Sequence, residues 1–183
     1  MKLDPWLKRI AGMHHEDNGD LGVVWLAYDD RSGILTIYDC ALFRMEVPAV
    51  IQYGITARGR YIPIAWRKQD EPTATQLLDA GCNVIPEHIT ETPASIEVDT
   101  QEVFQRLRAQ SLRVERRVTE WLSEYKRMQR EVKSDGASNR WTVPAKGFPL
   151  IAATRCAIRS LDWAEAETDR YRATENYPDI RVI

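Results

Sequence analysis

Leu21-Gly22-Val23-Val24-Trp25-Leu26-Ala27-Tyr28, then Asp29-Asp30-Arg31-Ser32-Gly33, then Ile34-Leu35-Thr36-Ile37-Tyr38 is the stretch on which the fold turns. The first run is nearly continuous in apolar residues, as a strand covered on both faces is. The middle is a polar turn with a glycine exit, and β-rich sequence resumes after it, so a hairpin is predicted. Residues 7–13 read as one more strand upstream, and the hairpin's second strand runs over 34–40.

Downstream the pattern changes period. Val47, Val50, Ile51 and Ile55 predict a helix over 47–58, stopped by Gly59. Residues 62–66 return to a strand, with Pro63 marking a sheet edge or a bulge. A short helix over 73–80 ends at Gly81, and 82–86 is a further strand. Strands alternating with helices argue for an α/β sheet with parallel partners. Residues 87–98 read as a polar loop containing Pro93, and Asp99 or Thr100 as the cap of a helix reaching about residue 110. A short strand over 112–114 follows. Thr119 opens a helix with Trp121, Leu122, Tyr125 and Met128 on one stripe, and 134–139 is a polar loop with Gly136. An Ala/Ile/Leu-rich helix spans 149–161. One domain over 1–163 is expected, with a charged tail over 164–183 that is extended or disordered.

The chain has 183 residues, enough to bury a core without disulfides or metals. A formal net charge of -2 supplies no global electrostatic case for nucleic-acid binding. Cys40, Cys82 and Cys156 are odd in number, far apart and set in apolar runs, so they read as reduced, buried thiols of an intracellular protein. Of the six tryptophans, Trp25, Trp66 and Trp121 lie inside periodic segments and are assigned to the core. No signal peptide is apparent, and no apolar run reaches the ~20 residues that cross a bilayer. A cytoplasmic location is expected.

Several strings, in order, resemble the C-terminal nuclease domain of the large terminase subunit of tailed bacteriophages. They are Val24-Trp25-Leu26-Ala27, Tyr38-Asp39, Ala57-Arg58-Gly59, Ile64-Ala65-Trp66 and Gly81-Cys82-Asn83, the last closing in a loop at His88. Trp121-Leu122-Ser123-Glu124-Tyr125 matches that family's Trp-x-x-Glu-Tyr helix, and Ala153-Thr154-Arg155 its Ala-Thr-Arg helix. The resemblance covers about residues 8–160. It implies an RNase H-like mixed central sheet flanked by helices, and a two-metal nuclease site using Mg or Mn. It also implies double-stranded DNA, a packaging ATPase and a portal as partners, in the host-cell cytoplasm. No membrane partner is implied. The phosphate loop Gly-x-x-x-x-Gly-Lys-[Ser/Thr] of the family's ATPase half does not occur in these residues.

The family's three carboxylate positions depart from this pattern. The first aspartate aligns with His14, the second with Gln69, and the pair opening the last helix with Phe148-Pro149. Hard divalent ions prefer carboxylate oxygen, and imidazole suits Zn, Ni or Cu better than Mg. Asp70 lies one residue past the second position and could serve through a bulge. With Asp17 it is a candidate catalytic residue, and His14, Glu16, Asp17 and Asp70 are the candidate metal ligands. The plain alternative for Asp70 is a helix-start charge, and for residues 14–17 an exposed loop. Arg67 and Lys68, at a strand end, are candidate DNA contacts. The nine Lys or Arg against four Glu between Arg106 and Lys133 read as a solvated helix face.

Three functions stay open. One is a packaging protein with a degenerate nuclease site that acts by binding DNA or packaging components. Another is an active metal-dependent endonuclease with a rearranged site, and the third a prophage remnant without activity.

Overall fold

The computed structural model describes residues 3–134 and 146–168, with backbone only for 129–134. Three antiparallel strands open the chain: β1 (Lys8–His15), β2 (Asp20–Asp29) and β3 (Ile34–Arg44). The predicted hairpin is present, turned through Gly33 at a positive φ of 70°. Trp25 pairs with Asp39 and Leu26 with Ile37, so Tyr38 is an extra residue that bulges β3. Helix α1 (Pro48–Thr56) returns the chain to β4 (Ile64–Ala65), which lies parallel to β1 on its free side. Helices α2 (Glu71–Asp79) and α3 (Pro93–Arg108) follow, then β5 (Leu112–Val114), parallel to β3. Helices α4 (Thr119–Ser134) and α5 (Pro149–Arg159) lead to β6 (Glu165–Ala166).

The sheet order is β4-β1-β2-β3-β5, with β6 pairing the start of β1. This mixed sheet flanked by helices is the expected α/β, RNase H-like architecture. Strand alternation divides the core between its two faces. Met13, Val23 and Trp25 pack with Ile51 and Ile55 of α1 and Leu77 of α2. Ile10, Val24 and Leu26 pack with Val103 of α3, Trp121 of α4 and most of α5. Trp25 and Trp121 are buried as assigned, whereas Trp66 is only half-buried. The three thiols are free and buried.

Four local readings are corrected. The strand read at 62–66 shrinks to Ile64–Ala65, because Pro63 has no N–H to donate and offers only its carbonyl, to the Ala11 amide at 2.7 Å. The strand read at 82–86 is reduced to a bridge between Ile64 and Val84. Helix α3 starts at Pro93, inside the predicted loop. Thr92 caps it by accepting from the Ser95 amide, and a proline in the first turn loses no helical bond. The stretch past Trp163 is not all tail, since Glu165 and Ala166 add to β1 and Glu167 pairs with Arg9 at 3.1 Å. The loop reading at 135–139 and the tail beyond 168 lie outside the described residues. Among those described, no helix is long and apolar enough to cross a membrane.

Candidate functional site

Strands β1 and β4 are parallel, so their C-terminal ends emerge side by side. The start of α5 is brought to the same place by two glycines. A Cβ on Gly12 would sit 2.0 Å from the Ala153 carbonyl oxygen, and one on Gly22 2.5 Å from the Pro149 carbonyl carbon. Without side chains there, α5 lies directly on β1 and β2. Two residues beyond Gly12, on the same face by strand alternation, is His14.

His14 is only 5% exposed, and its Nε2 lies 3.7 Å from Glu16 Oε1. Its Nδ1 is buried with no hydrogen-bond partner among the described residues. Burial, then the neighbouring Arg67 and Arg155, then His15, push its pKa down to about 2. The ring is therefore neutral at any ordinary pH.

Around it runs a closed set of ion pairs. Arg67 donates through Nε and Nη2 to the two Asp70 oxygens, each at 3.2 Å, and through Nη1 to Glu91 Oε2 at 3.2 Å. Its Nη2 also reaches the His15 carbonyl at 2.6 Å. Asp70, fully buried, accepts from the backbone amides of His15 and Arg67, both at 3.0 Å. Arg155 of α5 donates to Glu91 Oε1 at 2.9 Å and to Thr100 Oγ1 at 3.1 Å. Two guanidiniums meet two carboxylates, and the formal charges cancel.

This disposes the candidate residues differently from their order in the sequence. His14, Arg67 and Asp70 come together at the strand ends. Glu16 adjoins His14 but also accepts from the Phe148 amide at 3.3 Å, at the approach to α5. Glu124 of α4 accepts from the Ile151 amide at 2.7 Å. These two carboxylates satisfy the opening N–H groups of α5, whose first residue, Pro149, has no side chain able to do so. Burial foremost, offset in part by the Ile151 amide, pushes the Glu124 pKa up to about 7. Asp17 stands apart, exposed and paired with Lys146. Lys68 is exposed, whereas Arg67 is largely buried and faces carboxylates, so the basic pair read as a DNA contact is split. Asp70 does not cap α2 with its side chain either; its oxygens turn back toward Arg67 and His15. His88, read as a loop residue, packs its ring 5.5 Å from that of Trp66.

Glu91 was hidden in the sequence inside the supposed loop of 87–98, whereas Arg155 stood out in the Ala153-Thr154-Arg155 string without being assigned to the site. The signal that could have exposed Glu91 is the cap Thr92-Pro93-x-Ser95, which sets it just ahead of a helix.

One ligand-type atom from each of His14, Glu91 and Cys156 lies within 4.8 Å of the others. The set does not suit a divalent ion. Both Glu91 oxygens are engaged by guanidiniums, and burial first, then the Glu91 charge, push the Cys156 thiol up to about 12. Arg67 and Arg155 also place positive charge beside His14, which disfavours a further cation there. Between α4, β3 and the start of α5 runs an open groove of about 760 Å³, lined by Leu42 and Arg44 as well as Glu16 and Glu124.

No family model and no curated protein matches this sequence. Solved structures do match in fold. The nuclease domain of the phage P22 large terminase superimposes with a TM-score of 0.78 at 16% identity, covering 92% of this chain and 89% of that one. The g2p large-terminase nuclease domain of bacteriophage SPP1, solved with bound Mn, gives 0.64 at 14% identity over 85% and 87%. The large terminase of a thermophilic bacteriophage gives 0.65 at 8% identity, over 88% of this chain but 42% of that chain. The likeness at these identities is one of fold.

Proposed function

We propose that this chain is a phage or prophage packaging protein of the terminase nuclease fold whose catalytic end no longer holds divalent metal, and that it acts by binding. The observation that carries this reading is the Arg67–Asp70–Glu91–Arg155 network. In it two guanidiniums already engage the two carboxylates, Asp70 and Glu91, that a pair of divalent ions would otherwise need as ligands, which supports this reading. The fold likeness to P22 and SPP1 nuclease domains supports the packaging context. Partners of this kind are packaging proteins, with DNA as a further candidate. A host-cell cytoplasmic location and a single domain that takes in β6 belong to the same reading.

The rival, an active nuclease built from His14, Glu16, Asp17 and Asp70, draws support only from the closeness of His14 and Glu16. Asp17 points to solvent, and Asp70 is enclosed by Arg67 and backbone amides. Incubation of the purified chain with supercoiled plasmid and Mn²⁺ decides between them. No nicking is expected; nicking that Asp70→Asn abolishes in a folded variant would establish the rival.

A further inference from the structure

From Val47 to Ala57, across the whole of α1, no side chain carries a charge. A helix on the surface of a globular protein ordinarily turns charged residues to solvent. The inner side of α1 is accounted for. Ile51 and Ile55 are buried against the sheet, and a Cβ on Gly54 would sit 2.8 Å from the Phe43 ring. The helical repeat turns Ala49, Val50, Tyr53 and Ala57 away from the sheet, and all four are exposed, Tyr53 by 76%. Met45 and Val47, exposed by 79% and 60%, extend this face at the helix start. Charge returns only at its two ends. Glu46 stands just before the helix and Arg60 just beyond it; both are exposed, and neither is in an ion pair among the described residues. The other arginines nearby are turned elsewhere: Arg58 pairs with Asp39 at 2.6 Å and lies over the Trp25 ring, and Arg44 lines the groove on the α5 side of the sheet.

We infer that this face docks a second copy of the chain, α1 against α1 in antiparallel about a two-fold axis. A two-fold interface has to complement itself. Antiparallel α1 does so: Tyr53 lies midway between Glu46 and Arg60 in sequence, so an axis at Tyr53 sets each Glu46 against the partner's Arg60. The same register brings Ala49 to the partner's Ala57, small residues that let the two helices approach closely. A parallel arrangement would oppose like charges at both ends. Side chains this exposed offer on the order of 500 Å² of mostly apolar surface per copy, the size of patch that marks a binding face. Two copies then bury about 1,000 Å², which reaches the lower bound for a specific interface. The contact goes beyond the binding role proposed above and does not rest on it.

Sedimentation equilibrium of the whole chain, from micromolar to millimolar concentration, is the test. The mass is expected to rise from one chain to two and no further, because a two-fold contact closes on itself. Tyr53→Glu puts two like charges at the axis and should weaken the dimer about ten-fold or more. At the micromolar end, where both proteins are monomers, that variant should melt as the wild type does, since the side chain is exposed. Glu46→Arg should also weaken the dimer, and adding Arg60→Glu to it should restore the wild-type association, a rescue that only the antiparallel register gives. A chain that stays monomeric throughout would assign the face to a different protein and overturn the inference. A dimer indifferent to Tyr53→Glu, or a double variant as weak as Glu46→Arg alone, would overturn it too. Plasmid nicking by a protein that dimerises in this way would remove the non-catalytic reading and leave the α1 contact standing.

Discussion

Replacing Arg67 with glutamine would leave the buried carboxylates of Asp70 and Glu91 facing one guanidinium, that of Arg155. The wild-type side chain makes four hydrogen bonds there: two to Asp70, one to Glu91 and one to the His15 carbonyl. These bonds act as a unit and do not add, so the better guide is the cost of leaving one member of a buried pair unmatched, about 3–5 kcal/mol. For a chain of this size each kcal/mol moves the melting temperature by about 2–4 °C, so Arg67→Gln should melt about 6–20 °C lower. The same change gives the centre a net negative charge. Mn²⁺ should then stabilise the variant, by ~2.7 kcal/mol once it reaches about a hundred times its Kd, and leave the wild type unmoved. Differential scanning fluorimetry of both proteins in EDTA and in Mn²⁺ measures each quantity. A wild type that gains as much from Mn²⁺ as the variant would refute the idea that guanidiniums stand in for cations. So would a variant that melts within about 2 °C of the wild type in EDTA, because the network would then contribute little.

Two further outcomes follow from the same end of the sheet. The Glu124 pKa is raised from 4.5 to about 7, so the unfolded chain ionises first and the native state loses stability as pH rises between those values. Glu124→Gln keeps the acceptor for the Ile151 amide without the charge. It should match the wild type near pH 4.5 and exceed it by up to about 3 kcal/mol at pH 8, measured by urea denaturation; a difference independent of pH would contradict the assignment. Gly12→Ala drives a methyl group into the Ala153 carbonyl, so α5 must lift from the sheet. A loss of about 3 kcal/mol or more is expected in the same assay, and an unchanged midpoint would mean that α5 is not held against β1.

Much of this architecture was legible without coordinates because it is local. The β1–β3 succession, the hairpin through Gly33 and the stripe of Trp121, Tyr125 and Met128 are periodicities of two or three to four residues, which a chain carries wherever it goes. The same holds for the groups that single positions bear. His14 and Phe148-Pro149 bear no carboxylate in any conformation, so the sequence alone determined which groups those positions offer. Proline was the weak point of the local reading: Pro93 reads as a loop from its frequency in loops, yet at the first turn of α3 it loses no hydrogen bond. How the charged groups at these strand ends pair was decided only by tertiary structure. Glu91 meets Arg67 across 24 residues and Arg155 across 64, and Asp70 meets the His15 amide across 55. Such partners are chosen by which strand ends lie side by side and by how closely Gly12 lets α5 approach. Asp70 is thus a candidate metal ligand in the sequence and an arginine's counter-ion in the fold, because a buried charge takes its role from the nearest opposite charge rather than from its neighbours along the chain.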